Sequence, residues 1–281
     1  MTIDEAVIFA AQELNAGGIP EPRREASLLL GFVLNKDRAF LISHNSDELS
    51  GEDLTRFLSF VERRSMGEPF HYIAGEKEFY GLLFYVDRSV LIPRPETEML
   101  VERSVEFLRE IDSPKFCEIG VGSGCIAISI LNIIKTANAV CGDISEDALA
   151  VAEKNAERHL VADRAKFVRS DIFLDIPESD LDLIVSNPPY IPAADIAELE
   201  TDVREFEPHT ALTDGGSGFL ILEMIIGQAP KHLRRGGKIL LEFGIGQAEM
   251  VRGFFDAKIW SDVQIETDLR SIPRIVSAKL K

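Results

Sequence analysis

From Lys115 onward, short apolar runs of strand length alternate with longer stretches of helical periodicity, and no other feature restricts the possible folds of this chain so far. Phe116, Cys117 and Ile119 read as a strand ending in Glu118-Ile119-Gly120-Val121-Gly122-Ser123-Gly124. Ile126 to Ile134 reads as an apolar helix, Ala137 to Cys141 as a strand closed by Gly142-Asp143, and Ser145 to Arg158 as a second helix. Next come Lys166-Phe167-Val168 with Asp171, a strand from Leu181 to Ser186, a helix from about Gly218 to Leu233, and a strand from Lys238 to Phe243. A helix near Gln247 to Phe255 leads to two terminal strands, Ile259 to Glu266 and Pro273 to Ala278. Such alternation predicts an α/β domain with a mostly parallel sheet covered on both faces and ligands at the carboxyl ends of the strands. The chemistry-bearing residues fall at those ends.

One of these ends is Val185-Ser186-Asn187-Pro188-Pro189-Tyr190-Ile191. Two consecutive prolines forbid continuation of the strand and hold the segment stiff and extended. Asn187 supplies an amide oxygen, the backbone adds a carbonyl, and Tyr190 offers a flat face. Such a group suits a planar amide or amine whose NH2 hydrogens are accepted by two oxygens. The plainer alternative is a proline-stiffened loop in which Asn187 bonds the local backbone.

Gly120, Gly122 and Gly124 let backbone approach a ligand where a strand turns into a helix. Asp143, at the end of the next strand, is placed to accept both hydroxyls of a ribose. Dinucleotide and S-adenosylmethionine sites share these features, but here the third glycine arrives one residue early for the dinucleotide fingerprint, with Cys125 in its place. Asp171 can take an adenine amine while Ile172 packs on the ring, and no partner for hydride chemistry is evident. The expected cofactor is therefore S-adenosyl-L-methionine, with a methyl acceptor at Asn187.

Residues 1–74 read as a helical domain. Ile3, Ala6, Val7, Ala10 and Leu14 recur at helical spacing and stop at Gly17-Gly18. Ala26 to Leu34 forms a second pattern, a third begins near Asp37, and Ser50 caps a fourth. The domain offers no nucleophile or phosphate loop and suits recognition. Residues 75–95 read as a β-hairpin linker, split at Gly81, and residues 96–281 as the catalytic domain. In Ile92-Pro93-Arg94-Pro95-Glu96-Thr97-Glu98 two prolines stiffen the approach to a helix whose first turn is acidic. That segment either simply caps the helix or helps to wall the site.

Apolar runs are broken before 18 residues, and Met1-Thr2-Ile3-Asp4-Glu5 lacks the basic flank of a signal peptide, so a cytoplasmic location without membrane contact is expected. Cys117, Cys125 and Cys141 have no metal-ligand spacing and read as reduced core residues, with no metal site. A net charge of −17 argues against an extended nucleic-acid surface and favours a basic partner.

Taken with Gly67-Glu68-Pro69, Glu78-Phe79-Tyr80-Gly81, Leu91 to Glu98, Glu207-Pro208 and Leu240-Glu242-Gly244, these motifs closely resemble the release-factor glutamine methyltransferases, the PrmC/HemK family. The resemblance spans essentially the whole chain. It implies an N-terminal helical bundle, a hairpin linker and a Rossmann-like class I methyltransferase domain with a seven-stranded sheet. It also implies methylation of the side-chain amide nitrogen of the glutamine in the Gly-Gly-Gln motif of class 1 peptide release factors. By position, Gly120, Val121, Gly122, Ser123, Gly124, Asp143, Asp171 and Ile172 would hold cofactor, with Asn187 at its methyl end. Asn187, Pro188, Pro189 and Tyr190 would hold the glutamine. Two other readings remain: glutamine methylation of a ribosomal protein, and methylation of an adenine amine in DNA or RNA, which lacks a basic channel here.

Overall fold

The computed structural model describes all 281 residues, which divide into two compact units. The first comprises Met1–Gly75 together with Glu200–Phe206. Its helices are α1 (Ile3–Ala16), α2 (Pro22–Leu34), α3 (Arg38–Ser43), α4 (Gly51–Ser65) and α5 (Phe70–Ala74). Local chemistry sets their starts. Thr2 and Glu5 cap α1 reciprocally, Asp37 caps α3, and Ser50 accepts from the Asp53 amide to cap α4. Ile3, Ala6, Val7, Ala10 and Leu14 bury one face of α1 against Leu29, Leu30, Phe57 and Val61, as their spacing predicts. Buried Arg64 meets Glu25 at 2.9 Å and Asp202 at 3.9 Å, and donates to the carbonyls of Gly67 and Glu68.

The second unit opens with the antiparallel hairpin β1 (Glu76–Phe79) and β2 (Leu82–Tyr85). Its elements continue as α6 (Glu98–Leu108), β3 (Lys115–Ile119), α7 (Cys125–Ile133), β4 (Asn138–Asp143), α8 (Glu146–Arg158), β5 (Ala165–Arg169) and β6 (Leu181–Ser186). After α9 (Thr201–Phe206), which belongs to the first unit, come α10 (His209–Leu212), α11 (Leu220–Gln228), β7 (Leu233–Glu242), α12 (Ala248–Gly253), β8 (Trp260–Thr267) and β9 (Pro273–Leu280). The seven-stranded sheet has the order β5-β4-β3-β6-β7-β9-β8, and only β9 runs against its neighbours.

Alternation along the strands feeds two cores. Phe116, Leu183, Val185 and Leu240 face the layer of α6, α7 and α8, whereas Cys117, Ile184, Ile239 and Leu241 face Leu222, Ile225, Val251 and Phe255. Cys117, Cys125 and Cys141 are buried free thiols. Two elements differ from the sequence expectation. The helix predicted to reach Leu233 gives way to a 3-10 turn at Ala229–Lys231, because Pro230 has no N–H to continue the ladder. Strand β7 starts earlier than Lys238, pairing Leu233 with Leu181 before a register shift to Leu183 and Lys238.

Candidate active site

The chain order turns on β3, with β4 and β5 on one side of it and β6 on the other, and a crevice opens at the carboxyl ends of these strands. It holds a cavity of about 310 Å³ within the second unit. Gly120, Val121, Gly122, Ser123, Asp143, Asp171, Ile172, Asn187 and Pro189 all line it, although they come from four different strand ends. Gly124, Pro188 and Tyr190 are not among the lining residues.

The glycine-rich loop is fastened to β4. The amides of Gly120 and Val121 donate to the Gly142 carbonyl at 2.8 and 3.0 Å, and the Gly122 amide donates to Asp143 Oδ2 at 2.9 Å. The Ser145 amide donates to the other Asp143 oxygen at 3.0 Å. Burial raises the Asp143 pKa, and these backbone donors oppose the rise by stabilising the anion. Gly124 opens α7 at φ 80, and a Cβ there would lie 2.7 Å from Ile128 Cδ1. Only glycine combines that φ with that proximity. Glu118, fully enclosed beneath the loop, accepts from the Ala127 amide at 2.8 Å, and burial pushes its pKa well above the usual carboxylate range.

Beside β5, Ile172 is buried at φ 54, a left-handed conformation strained for a β-branched residue. Ser170 braces it by donating to the Ile172 carbonyl and accepting from the Asp175 amide. Asp171 remains exposed at the cavity rim.

At β6, Asn187 Nδ2 donates to Thr97 Oγ1 at 3.1 Å, which leaves Oδ1 without a partner inside the protein. Thr97 closes the 3-10 turn Pro95–Thr97, so the proline-stiffened segment walls the cavity through Pro93, Arg94 and Thr97. Arg94 is held at 2.6 Å by buried Glu207. The Tyr190 ring packs into the second core and its hydroxyl donates to Glu242 Oε1 at 3.1 Å. Its carbonyl accepts from Gln247 Nε2 at 2.8 Å. Beneath it, a Cβ on Gly218 would come within 2.3 Å of the Tyr190 carbonyl oxygen. The Gly218 loop is gathered by Asp214, which accepts from the amides of Gly216, Gly218 and Leu220. Some desolvation raises the Asp214 pKa, but these three donors outweigh it and hold the carboxyl below the usual range.

Several supporting residues carry no sequence signal. Asn155, fully buried in α8, accepts from the Tyr85 amide and donates to the carbonyls of Tyr85 and Ser123, linking the hairpin to the glycine loop. Thr97 and Gln247 likewise act through partners distant in sequence, whereas Asp214 followed by two glycines is a detectable turn signal.

The glycine-loop backbone, the Asp143 carboxylate and the apolar Ile172 side chain line one cavity, a donor set compatible with an adenosyl methyl donor. No group of three or more His, Cys, Asp or Glu side chains is placed to hold a metal ion. No helix is long and apolar enough to cross a membrane.

Residues 5–75 match the family described as PrmC N-terminal domain, and residues 97–243 match the Methyltransferase small domain family. A release factor glutamine methyltransferase of Koribacter versatilis is 38% identical over 277 residues, covering 98% of each chain. That of Chlorobaculum tepidum is 41% identical, covering 92% of this chain and 90% of its own. Among solved structures, the hMettl16 catalytic domain in complex with MAT2A 3′UTR hairpin 6 superposes with a TM-score of 0.59 at 16% identity, over 87% of this chain and 93% of that one. A methyltransferase from Pyrococcus furiosus gives 0.52 at 16% identity, over 82% and 98%. At such identities these two likenesses speak for the fold alone.

Proposed function

The chain belongs to the release factor glutamine methyltransferase family, and on that premise we propose that it methylates the glutamine side-chain amide in the Gly-Gly-Gln motif of class 1 peptide release factors. The methyl donor in this reading is S-adenosyl-L-methionine, which supplies an electrophilic methyl group on a sulfonium. The observation that carries the reading is Asn187, on the cavity wall with its nitrogen committed to Thr97 and its oxygen free to accept.

The loop Gly120–Gly124 gives the donor a close backbone approach, and Asp143, already oriented by two amides, takes the ribose hydroxyls. Asp171 takes the adenine amine and Ile172 covers the ring. Arg94, which lines the cavity with its guanidinium held by Glu207, would offer the donor's carboxylate a cation. An amide nitrogen is a weak nucleophile because its lone pair is delocalised, so the site must act chiefly by orientation. Asn187 Oδ1 and the Pro188 carbonyl accept the two NH2 hydrogens and point the nitrogen at the methyl group, while Pro189 and Tyr190 keep that backbone rigid. Proximity of this kind supplies a large part of a catalytic rate gain. Transfer would break the methyl–sulfur bond and leave a neutral thioether, and the nitrogen, then positively charged, would give its proton to water, so no strong base is needed beforehand.

Transfer of labelled methyl from S-adenosyl-L-methionine to purified release factor tests this reading, with the factor's glutamine-to-alanine variant and duplex DNA alongside. Label on the unaltered factor alone is expected. Label on DNA, or on neither protein, would remove the assignment.

A further inference from the structure

The segment from Asn187 to Tyr190 has to be held still, yet its own backbone can do little of the holding. Pro188 and Pro189 have no N–H to donate, and they follow directly on the end of β6. Anchorage therefore falls to side chains and carbonyls. With φ of both prolines fixed at about −65°, the direction of the Pro188 carbonyl depends on the two proline ψ torsions and on where Tyr190 is fastened.

The Tyr190 carbonyl is fastened by Gln247, whose Nε2 donates to it at 2.8 Å. At the other end of the same carboxamide, Oε1 accepts from the Gly244 amide at 2.8 Å. Both partners have a fixed polarity, because an amide N–H only donates and a carbonyl only accepts, so the carboxamide has one workable orientation. Gln247 is buried, and Gly244 leaves room for it: a Cβ there would lie 3.0 Å from Gln247 Oε1 and 3.2 Å from Tyr190 Cδ2. Gln247 also occupies the N-cap of α12, a position that favours Ser, Thr, Asp or Asn, and makes no side-chain capping bond there. The helix therefore gains nothing from this side chain, which is given over to the Tyr190 segment.

We infer that Gln247 is a positioning residue for methyl transfer: by tying the Tyr190 carbonyl to the turn after β7, it sets the direction in which the Pro188 carbonyl meets the substrate's NH2 group. The inference rests on the glutamine methyltransferase reading of the site. Gln247 does not line the cavity, so it acts only through the segment it holds. The stiffness of the two prolines carries a displacement of Tyr190 back to the acceptors, and a misplacement of about 1 Å costs about 10²-fold in rate. The donor rests on the glycine loop, Asp143 and Ile172, which Gln247 does not touch, so its affinity is independent of this tie.

The test compares the wild type with Gln247→Met, which keeps the length but neither hydrogen bond, and Gln247→Asn, which keeps the carboxamide but is one methylene too short to span both partners. Calorimetric titration with S-adenosyl-L-methionine gives donor affinity and counts the folded, donor-binding sites to which kcat is referred. Both variants should lower kcat per site by about 10²-fold, with donor affinity and KM for release factor near wild type. Wild-type kcat per site in Gln247→Met would show that the side chain only fills space, and would overturn the inference. A raised KM at unchanged kcat would overturn it too, as would a loss of donor affinity in step with kcat, the mark of a generally loosened site. If Gln247→Met binds no donor, Gln247→Asn decides by the same criteria. Failure of the wild type to methylate the factor's glutamine would instead overturn the functional reading, and this inference with it.

Discussion

Asn187 carries the acceptor on which the proposed chemistry depends, so Asn187→Ala should lower kcat by about 10² or more, while donor affinity measured by calorimetry changes little. Asn155 differs: it touches no substrate, but its loss strands the Tyr85 amide and two buried carbonyls. At roughly 1–3 kcal/mol for each buried group left unpaired, Asn155→Leu should cost about 3 kcal/mol in denaturant unfolding and weaken donor binding through the loosened Ser123. The contrast explains which residues were legible in the sequence. Asn187 and Asp143 sit beside prolines or glycines that punctuate the chain, so their setting was visible. Asn155 and Gln247 stand among ordinary helical or turn residues, with partners 32 to 70 positions away, and Thr97, although inside the proline-stiffened segment, gives no sign of its bond to Asn187 90 positions on. Their roles exist only after folding.

Among elements, the strands of the sheet were readable because their side chains alternate between two cores, and the long helices because they bury one face. Between Pro192 and Thr213 the chain makes a 3-10 segment of six residues and helices of six and four. Neither helix completes two turns and the 3-10 segment makes only two, so none leaves a period to detect. The loop that follows can be probed through its glycines. Gly218, at φ 79 and pressed on the Tyr190 carbonyl, has no room for a methyl group, and Gly218→Ala should destabilise the protein by about 1–3 kcal/mol and reduce turnover. Further along, exposed Gly227 lies in α11, where a Cβ would meet nothing within 4 Å, so Gly227→Ala should stabilise by roughly 0.5–1 kcal/mol. Paired thermal melts would separate the two effects.

On the scale of the whole molecule, a net charge of −17 sets up a field that favours approach of a basic partner. A factor domain that works against ribosomal RNA should be basic, so the association rate with release factor should fall steeply as salt rises, by about tenfold or more in stopped-flow measurements. A rate indifferent to salt would leave the charge a matter of solubility. The three native thiols have a different consequence. Cys117 and Cys141 are wholly enclosed, Cys125 is 8% exposed, and burial pushes all three pKa values well above the usual thiol range. Maleimide dyes attack thiolates, so the unaltered protein is nearly silent to them. One cysteine added to each compact unit would therefore take a fluorophore pair without removal of the native thiols, opening the distance between the units during turnover to single-molecule energy transfer.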